Sequence, residues 1–425
     1  MIRLRQLITA ILILTLPLFA GCWDQVEIED LAVVRAIGLD YLPGRQSPYL
    51  VTLAIKRPAG IDEQGGAGGE PTIIYSGVGA SVDLAIQQAT NSMSKTIFLA
   101  HAEVYLVGEE AAKAGVSPFL DFIIRHPETR LNGFMLVTEG MAHDALQLTE
   151  RMEESVSEEI LSLIFTSQET SETEVDEVFI FLRQMATPGK DPHAGALTVK
   201  APLAEQIANE DDEDENNDND QEENGENEQD NGNGEENDTG NQEDDVHALE
   251  GIAVFAGDKL ADILKYPESR GILWLTNNMR RSIMAVSDPV HPEHIVNISI
   301  ARTATKITPV MENGEFSFRI EVDTEGDLES QSSETDLSKP EEIEKLNDAL
   351  AGVIKEEMEK TLRRLQELQT DVMGLGMRLN RRHPQVYREV ADRWPEEFSK
   401  VNVDIHVEAN IRRTGQHSHT TRVNR

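Results

Sequence analysis

An α+β fold, multidomain and mixed in helix and sheet, follows from three features of the sequence. Short aliphatic and β-branched runs bounded by Gly and Pro read as strands, while amphipathic stretches that begin at Ser or Pro read as helices. The two kinds are interspersed without strict βαβ repetition, which favours α+β over a doubly wound sheet. The 425 residues, 39% hydrophobic but only 5% aromatic, suffice for two or three domains with aliphatic cores.

The chain opens with Arg3 and Arg5, followed by an apolar run from Leu7 to Ala20 that closes on Gly21 and the single cysteine, Cys22. A spanning helix needs roughly 20 apolar residues. This run is shorter, is charged only on its N-terminal side and stops at small residues. Residues 1–21 therefore read as a lipoprotein signal peptide, with Cys22 as the lipidation site and first mature residue. A thiolate is nucleophilic enough to accept a diacylglyceryl group, and two or more acyl chains such as palmitate hold a protein on a bilayer without a transmembrane helix. Phe19 occupies the place three residues before Cys22 where a lipobox usually carries Leu. With one cysteine no intrachain disulfide can form, so the core alone must stabilise the fold.

An N-terminal α+β domain is expected over 22–206. Leu31–Asp40 and Tyr49–Ile55 are rich in β-formers, separated by Pro and Gly, and suggest a hairpin. Ser81 can cap a helix to about Met93, after which Thr96–Val107 returns as extended chain ending at Gly108. Ser117-Pro118 starts a second helix through Arg125, and Phe134–Thr138 is an apolar strand.

Between Asn209 and Asp245 stand 19 Asp and Glu and no Lys or Arg, so about half of the formal charge of −39 lies in one segment. Having nothing apolar to bury, 207–246 is expected to be a disordered acidic insert and a tolerated surface linker; the regular ligand spacing of a calcium loop is absent. The rest of the chain is still acidic, with 25 Arg against 13 Lys, which disfavours nucleic acid and anionic lipid headgroups as partners.

A C-terminal domain is expected over 247–415, with a middle segment at 247–289. Gly251–Phe255 reads as a strand, Gly257-Asp258 as a turn and Lys259–Leu264 as a short helix. Glu315–Asp323 and Val401–Val407 alternate as half-buried strands do. They frame a long helix from about Glu341 to Gln369, in which Ile343, Leu346, Leu350, Val353, Met358, Leu362 and Leu365 form a stripe, with Ser338 as cap and Pro340 in the first turn. Such a stripe more often packs on its own sheet than on a partner helix. The polar residues 416–425 read as a flexible tail.

The order of these segments resembles the Ger(x)C family of spore germination lipoproteins, the C subunits of germinant receptors (GerAC, GerBC and GerKC-like). The likeness starts at Gly21-Cys22-Trp23-Asp24 and runs to a strand ending Ile37-Gly38-Leu39-Asp40. It continues through Tyr75–Ser81, His101-Ala102-Glu103-Val104, Phe119–Glu128, Val254–Leu260, Glu268–Leu275, Arg382–Tyr387, Trp394 and Ile411–Gly415. The resemblance implies a three-domain extracytoplasmic lipoprotein, anchored through Cys22 on the outer face of the spore inner membrane. It implies assembly with A-type and B-type integral-membrane subunits to trigger germination, and it implies no cofactor, metal or catalytic residue.

The residues themselves offer no Gly-X-Ser-X-Gly elbow, His-Glu-X-X-His helix or phosphate-cradling Gly-X-X-X-X-Gly-Lys. Carboxylates are too abundant to single out a catalytic pair. His417 and His419 lie two apart in the polar tail, a spacing met in metal sites but also in frayed termini, and His101 and His126 sit in apolar surroundings. A lipid-anchored solute-binding protein stays open as the alternative, although the repeating two-lobe strand–helix pattern of such proteins is not seen. Whether a small-molecule germinant is bound is not decided by the sequence.

Overall fold

The structure, a computed structural model, describes residues 27–56, 72–148, 152–171, 173–201, 245–333, 336–337 and 339–413. The expected signal peptide, Cys22, the acidic segment up to Asp244 and the tail with His417 and His419 lie outside them.

The anticipated hairpin begins the first sheet. Strands β1 (Leu31–Tyr41) and β2 (Tyr49–Lys56) pair antiparallel, and the rings of Tyr41 and Tyr49 meet edge-on at 5.6 Å. β3 (Thr72–Gly79) adds antiparallel to β2, and helix α1 (Val82–Thr90) packs back on both strands. Ser81 caps that helix as expected, its hydroxyl accepting from the Leu84 N–H. Gly77 and Gly79 permit the close approach, since a Cβ at either would stand 2.2 Å or 2.3 Å from Ala85 backbone atoms.

The extended return over 96–107 is divided by a turn, closed by Ala102 N–H on the Leu99 carbonyl, into β4 (Thr96–Phe98) and β5 (Val104–Gly108). Both run parallel to β1. Helices α2 (Glu109–Ala114) and α3 (Ser117–Arg125) cross over to β6 (Phe134–Thr138), parallel to β5. Then α4 (Ala142–Leu146), α5 (Val156–Thr170) and α6 (Val178–Met185) cross to β7 (His193–Lys200), parallel to β6. The mixture of helix and sheet is present, but the expectation that it lacks βαβ repetition is corrected: β1, β5, β6 and β7 form a parallel core. Val104–Gly108 is buried at every position, and such a run carries no alternation from which to read its partners.

Beyond the acidic segment, β8 (Val246–Ala256) returns antiparallel to β7, and β9 (Lys259–Leu264) pairs with β8. The helix expected over Lys259–Leu264 is thus corrected to a strand. Leu260 and Leu264, four apart, imitate a helical stripe, but Gly257 at φ +65° makes a two-residue turn that lays the chain along the edge of β8. The sheet order is β3-β2-β1-β5-β6-β7-β8-β9, with β4 beside β1.

A second unit follows. Helix α7 (Glu268–Thr276) precedes a sheet of β10 (Ile283–Ser287), β11 (Ile295–Glu312), β12 (Glu315–Gln331) and β13 (Val403–Arg413), antiparallel except for the β12–β13 pair. β11 and β12 turn at Asn313-Gly314, with φ +52° and +88° as a type I′ hairpin demands. The long helix α8 (Pro340–Glu367) buries Leu346, Leu350, Ile354, Met358, Leu362 and Leu365 in this unit's own core. Lys339 takes the cap position, while Ser338, expected there, lies outside the described residues. Helices α9 (Leu375–Arg382), α10 (Pro384–Val390) and α11 (Trp394–Phe398) lead into β13.

Strand β8 serves all three cores. Leu249 packs with Leu136, Ile160 and Ile164, Ala253 and Phe255 pack with Phe119 and Phe181, and Ile252 and Val254 pack with the second unit's Trp274 and Met358. The change of parity is made at Gly251, whose φ of +91° lies in a bulge where Leu249 and Ile252 oppose Leu197 and Gly195. Phe255→Ala should cost about 3–5 kcal/mol and Ile252→Ala about 2–5 kcal/mol. Because one strand carries both, calorimetry of either variant should show a single transition moved down; a transition that splits in two would show that β8 does not couple the units.

Candidate functional site

A dense polar cluster lies where the second unit meets the start of β7 and the end of β8. Asp371, in the turn between α8 and α9, is 1% exposed. Its Oδ1 accepts from the Leu375 N–H at 2.9 Å, and its Oδ2 accepts from the Gly376 N–H at 2.8 Å and Trp394 Nε1 at 3.0 Å. Across the junction its backbone N–H donates to Asp191 Oδ2 at 2.8 Å, and the Asp191 N–H donates back to its carbonyl at 2.9 Å. Asp191 Oδ1 also accepts from Gly257 in the β8–β9 turn at 3.1 Å, and Met377 N–H reaches the Gly189 carbonyl at 2.8 Å. Gly376 has to be glycine, because a Cβ there would stand 2.6 Å from the Trp394 ring and 2.8 Å from Gly189 Cα. Phe316 stacks on Trp394 at 6.1 Å and Tyr387 tilts against it at 5.8 Å.

Electrostatics mark the same place. Burial pushes the Asp371 carboxyl up to about 6, against the N–H groups of Gly376, Leu375 and Trp394, which favour the anion. Burial also raises Asp191, against the backbone donors of Gly257 and Asp371.

A second polar feature lies on the other side of α7. Arg270 and Glu357 are both buried, joined by a two-pronged ion pair in which Arg270 Nε donates to Glu357 Oε2 at 3.0 Å. The Tyr266 hydroxyl accepts from Arg270 at 3.1 Å. Gly271 lets α7 and α8 touch, since a Cβ there would stand 1.9 Å from Thr361 Oγ1. An adjoining cleft of ≈ 300 Å³ is lined by Thr170, Tyr266, Arg270, Arg281, Ile283 and Ser299. Of these, Tyr266 and Ile283 are more than half exposed and give it apolar walls beside a cationic floor.

Among the residues weighed from sequence, His101 is exposed beside Phe98, and His126 is half-buried against Phe122 at 5.3 Å. Both are surface groups far from this junction in the fold order. Trp394 and the Glu268–Leu275 block, noted in the sequence only as pattern, supply the Trp at the hub and the Arg of the buried pair. Within 31–40 only Leu31, Val33 and Arg35 are partly exposed, and the rest of this stretch is buried in β1. Glu174, Asp176 and His193 were not singled out, yet each brings one ligand-capable atom to within 4.8 Å of the others. No single motif could have found all three, because Glu174 and Asp176 share one segment while His193 lies beyond α6 at the start of β7.

Comparison with known proteins finds sequence relatives along most of the chain. A model for the spore germination protein N-terminal domain matches residues 24–199, and one for the spore germination B3/GerAC-like C-terminal domain matches 250–415. Spore germination protein KC of Bacillus subtilis (strain 168) is 25% identical over 421 residues, covering 96% of each chain. Putative spore germination protein YfkR of the same strain is 24% identical over 399 residues, covering 91% of each. The crystal structure of the GerBC protein aligns with a TM-score of 0.49 and 18% identity, over 91% of this chain and 99% of that one.

A carboxyl that titrates near 6 when folded and near ~3.9 when unfolded holds more proton in the folded state. Its stabilising contribution is therefore largest below ~4 and declines as pH rises through about 6, by on the order of 3 kcal/mol. Denaturant titrations of wild type and Asp371→Asn at several pH values should show the wild type losing ground to the variant across that window. A gap that stays constant with pH would count against the assignment.

Proposed function

This chain belongs to the GerAC-like family of spore germination proteins, and from that premise we propose that it is the lipid-anchored subunit of a nutrient germinant receptor. In this reading it sits on the extracytoplasmic face of the spore inner membrane and assembles with A-type and B-type integral-membrane subunits to trigger germination. The observation that carries the reading is the reach of the two family matches, 24–199 and 250–415, which start two residues after Cys22. Support for attachment through acyl chains comes from the apolar run that ends at Cys22. Among the described residues no helix is long and apolar enough to cross a membrane.

Confinement of the chain to a surface would raise its effective concentration for membrane partners by orders of magnitude without any new contact. The contact elements favoured are 23–30, next to the anchor, and the outward face of α8, where Glu344, Lys345, Asp348, Lys355 and Glu356 are exposed. A non-catalytic role is favoured because Asp191, Asp371, Arg270 and Glu357 spend their polar atoms on internal partners. The ≈ 300 Å³ cleft beside Arg270 supports a second reading, capture of a small anionic solute by a lipid-anchored binding protein.

Mass spectrometry of membranes from spores carrying wild type or Cys22→Ala separates the two. The receptor reading expects a diacylated Cys22 terminus, two multispanning proteins co-purifying with the wild type, and loss of both together with slowed germination in the variant. A lipidated chain that purifies alone and melts higher with a small carboxylate would favour solute capture instead. A soluble, unlipidated mature chain would end both readings.

A further inference from the structure

We propose that Glu174, Asp176 and His193 form a binding site for a divalent transition cation, Zn²⁺ or Mn²⁺, at the junction of the two units. Glu174 and Asp176 lie in the extended chain between α5 and α6, so residues two apart present their side chains on one side. Val175 between them turns the other way and is buried in the core below. Gly195 on β7 lets this segment close in, because a Cβ there would stand 2.5 Å from Val175 Cγ2. His193 opens β7 and is 1% exposed.

The donors are held as ligands need to be. One atom from each of the three side chains lies within 4.8 Å of the others, and His193 Nε2 is 3.0 Å from Glu174 Oε2. Two atoms bound to one ion at ~2.0–2.1 Å stand ~3.0–3.4 Å apart, so this pair is already at ligand spacing. Gln184 braces the set, donating to Asp176 Oδ2 at 2.9 Å and accepting from the His193 backbone N–H at 3.1 Å. Such outer partners fix ligand orientation in metal sites. The Asn278 amide donates to Glu174 Oε1 at 2.5 Å, tying the site to the loop after α7.

The space beside the cluster has room for an ion. A cavity of ≈ 90 Å³ lined by Ser171, Thr173, Glu174, Asp176, Asn278 and Arg280 adjoins the cluster, several times the ~10–15 Å³ that one water needs. One imidazole with two carboxylates suits a borderline cation with open positions for water, whereas Ca²⁺ and Mg²⁺ prefer oxygen alone. Binding at His193 Nε2 takes the neutral ring with its hydrogen on Nδ1, and Glu174 exchanges its hydrogen bond to the ring for a coordinate bond.

The test uses the full mature chain, stripped by chelator and dialysed against ZnCl₂ or MnCl₂ in millimolar Mg²⁺, which saturates diffuse binding by the acidic segment. Elemental analysis should find one equivalent retained and the melting temperature should rise by several degrees. Asp176→Asn and Glu174→Gln, close in shape to the native residues, should each weaken retention by about 10-fold or more and abolish the rise. His417→Ala/His419→Ala should change neither readout. No retained equivalent, retention indifferent to both carboxamide variants, or loss in the tail variant would each overturn the assignment.

Discussion

Everything on either side of β8 depends on that strand having two faces of different use. Its residues complete the large sheet by pairing with Leu197, Thr198 and Val199 of β7, while Ile252 and Val254 are part of the second unit's core. Full burial of an aliphatic or aromatic side chain is worth roughly 1.5–3 kcal/mol, so a strand with Ile252, Val254 and Phe255 all at 0% exposure binds the units with several such increments. That arrangement requires one extra residue, because a strict pleat cannot send Leu249 and Ile252 to the same side. Gly251 supplies it at a φ that other residues adopt at a cost.

The same strand accounts for the acidic segment. Lys200 at the end of β7 is paired with Val246 at the start of β8, so the segment between them connects two neighbouring rungs of one ladder. Loop-closure entropy grows only as the logarithm of length, about 0.6 kcal/mol per doubling, and its ends are fixed by the ladder whatever lies between. An insertion there is tolerated because the β7–β8 ladder holds its ends together.

Local chemistry was legible where the signal is local. Ser81 as a cap, the β1–β2 hairpin and the α8 stripe could be read from residues next to one another, and Asn313-Gly314 carried a hairpin signal of the same kind. The parallel core was not legible, since its strands are buried on both faces and the information that orders them lies in packing between distant segments. β9 was misread because Leu260 and Leu264 fit a helical period, and only the waiting edge of β8 decides otherwise. The polar junction shows the same limit. Asp191 and Asp371 stand 180 residues apart in sequence and meet through backbone donors, which no side-chain motif records.

A junction made of satisfied polar groups has a consequence that an apolar one would lack. Hydrophobic contact is non-directional and lets two surfaces slide, whereas the Asp371 N–H on Asp191, the Asp191 N–H on the Asp371 carbonyl and the Met377 N–H on the Gly189 carbonyl favour one mutual setting. The cost is visible in Asp371, whose charge is held in a dry site against its own preference. The close passage of Gly376 over Gly189 restricts the junction further, since a Cβ on Gly376 would stand 2.8 Å from Gly189 Cα. Such rigidity sets the orientation of the second unit by that of the first, so the two present one combined surface and not an ensemble of them.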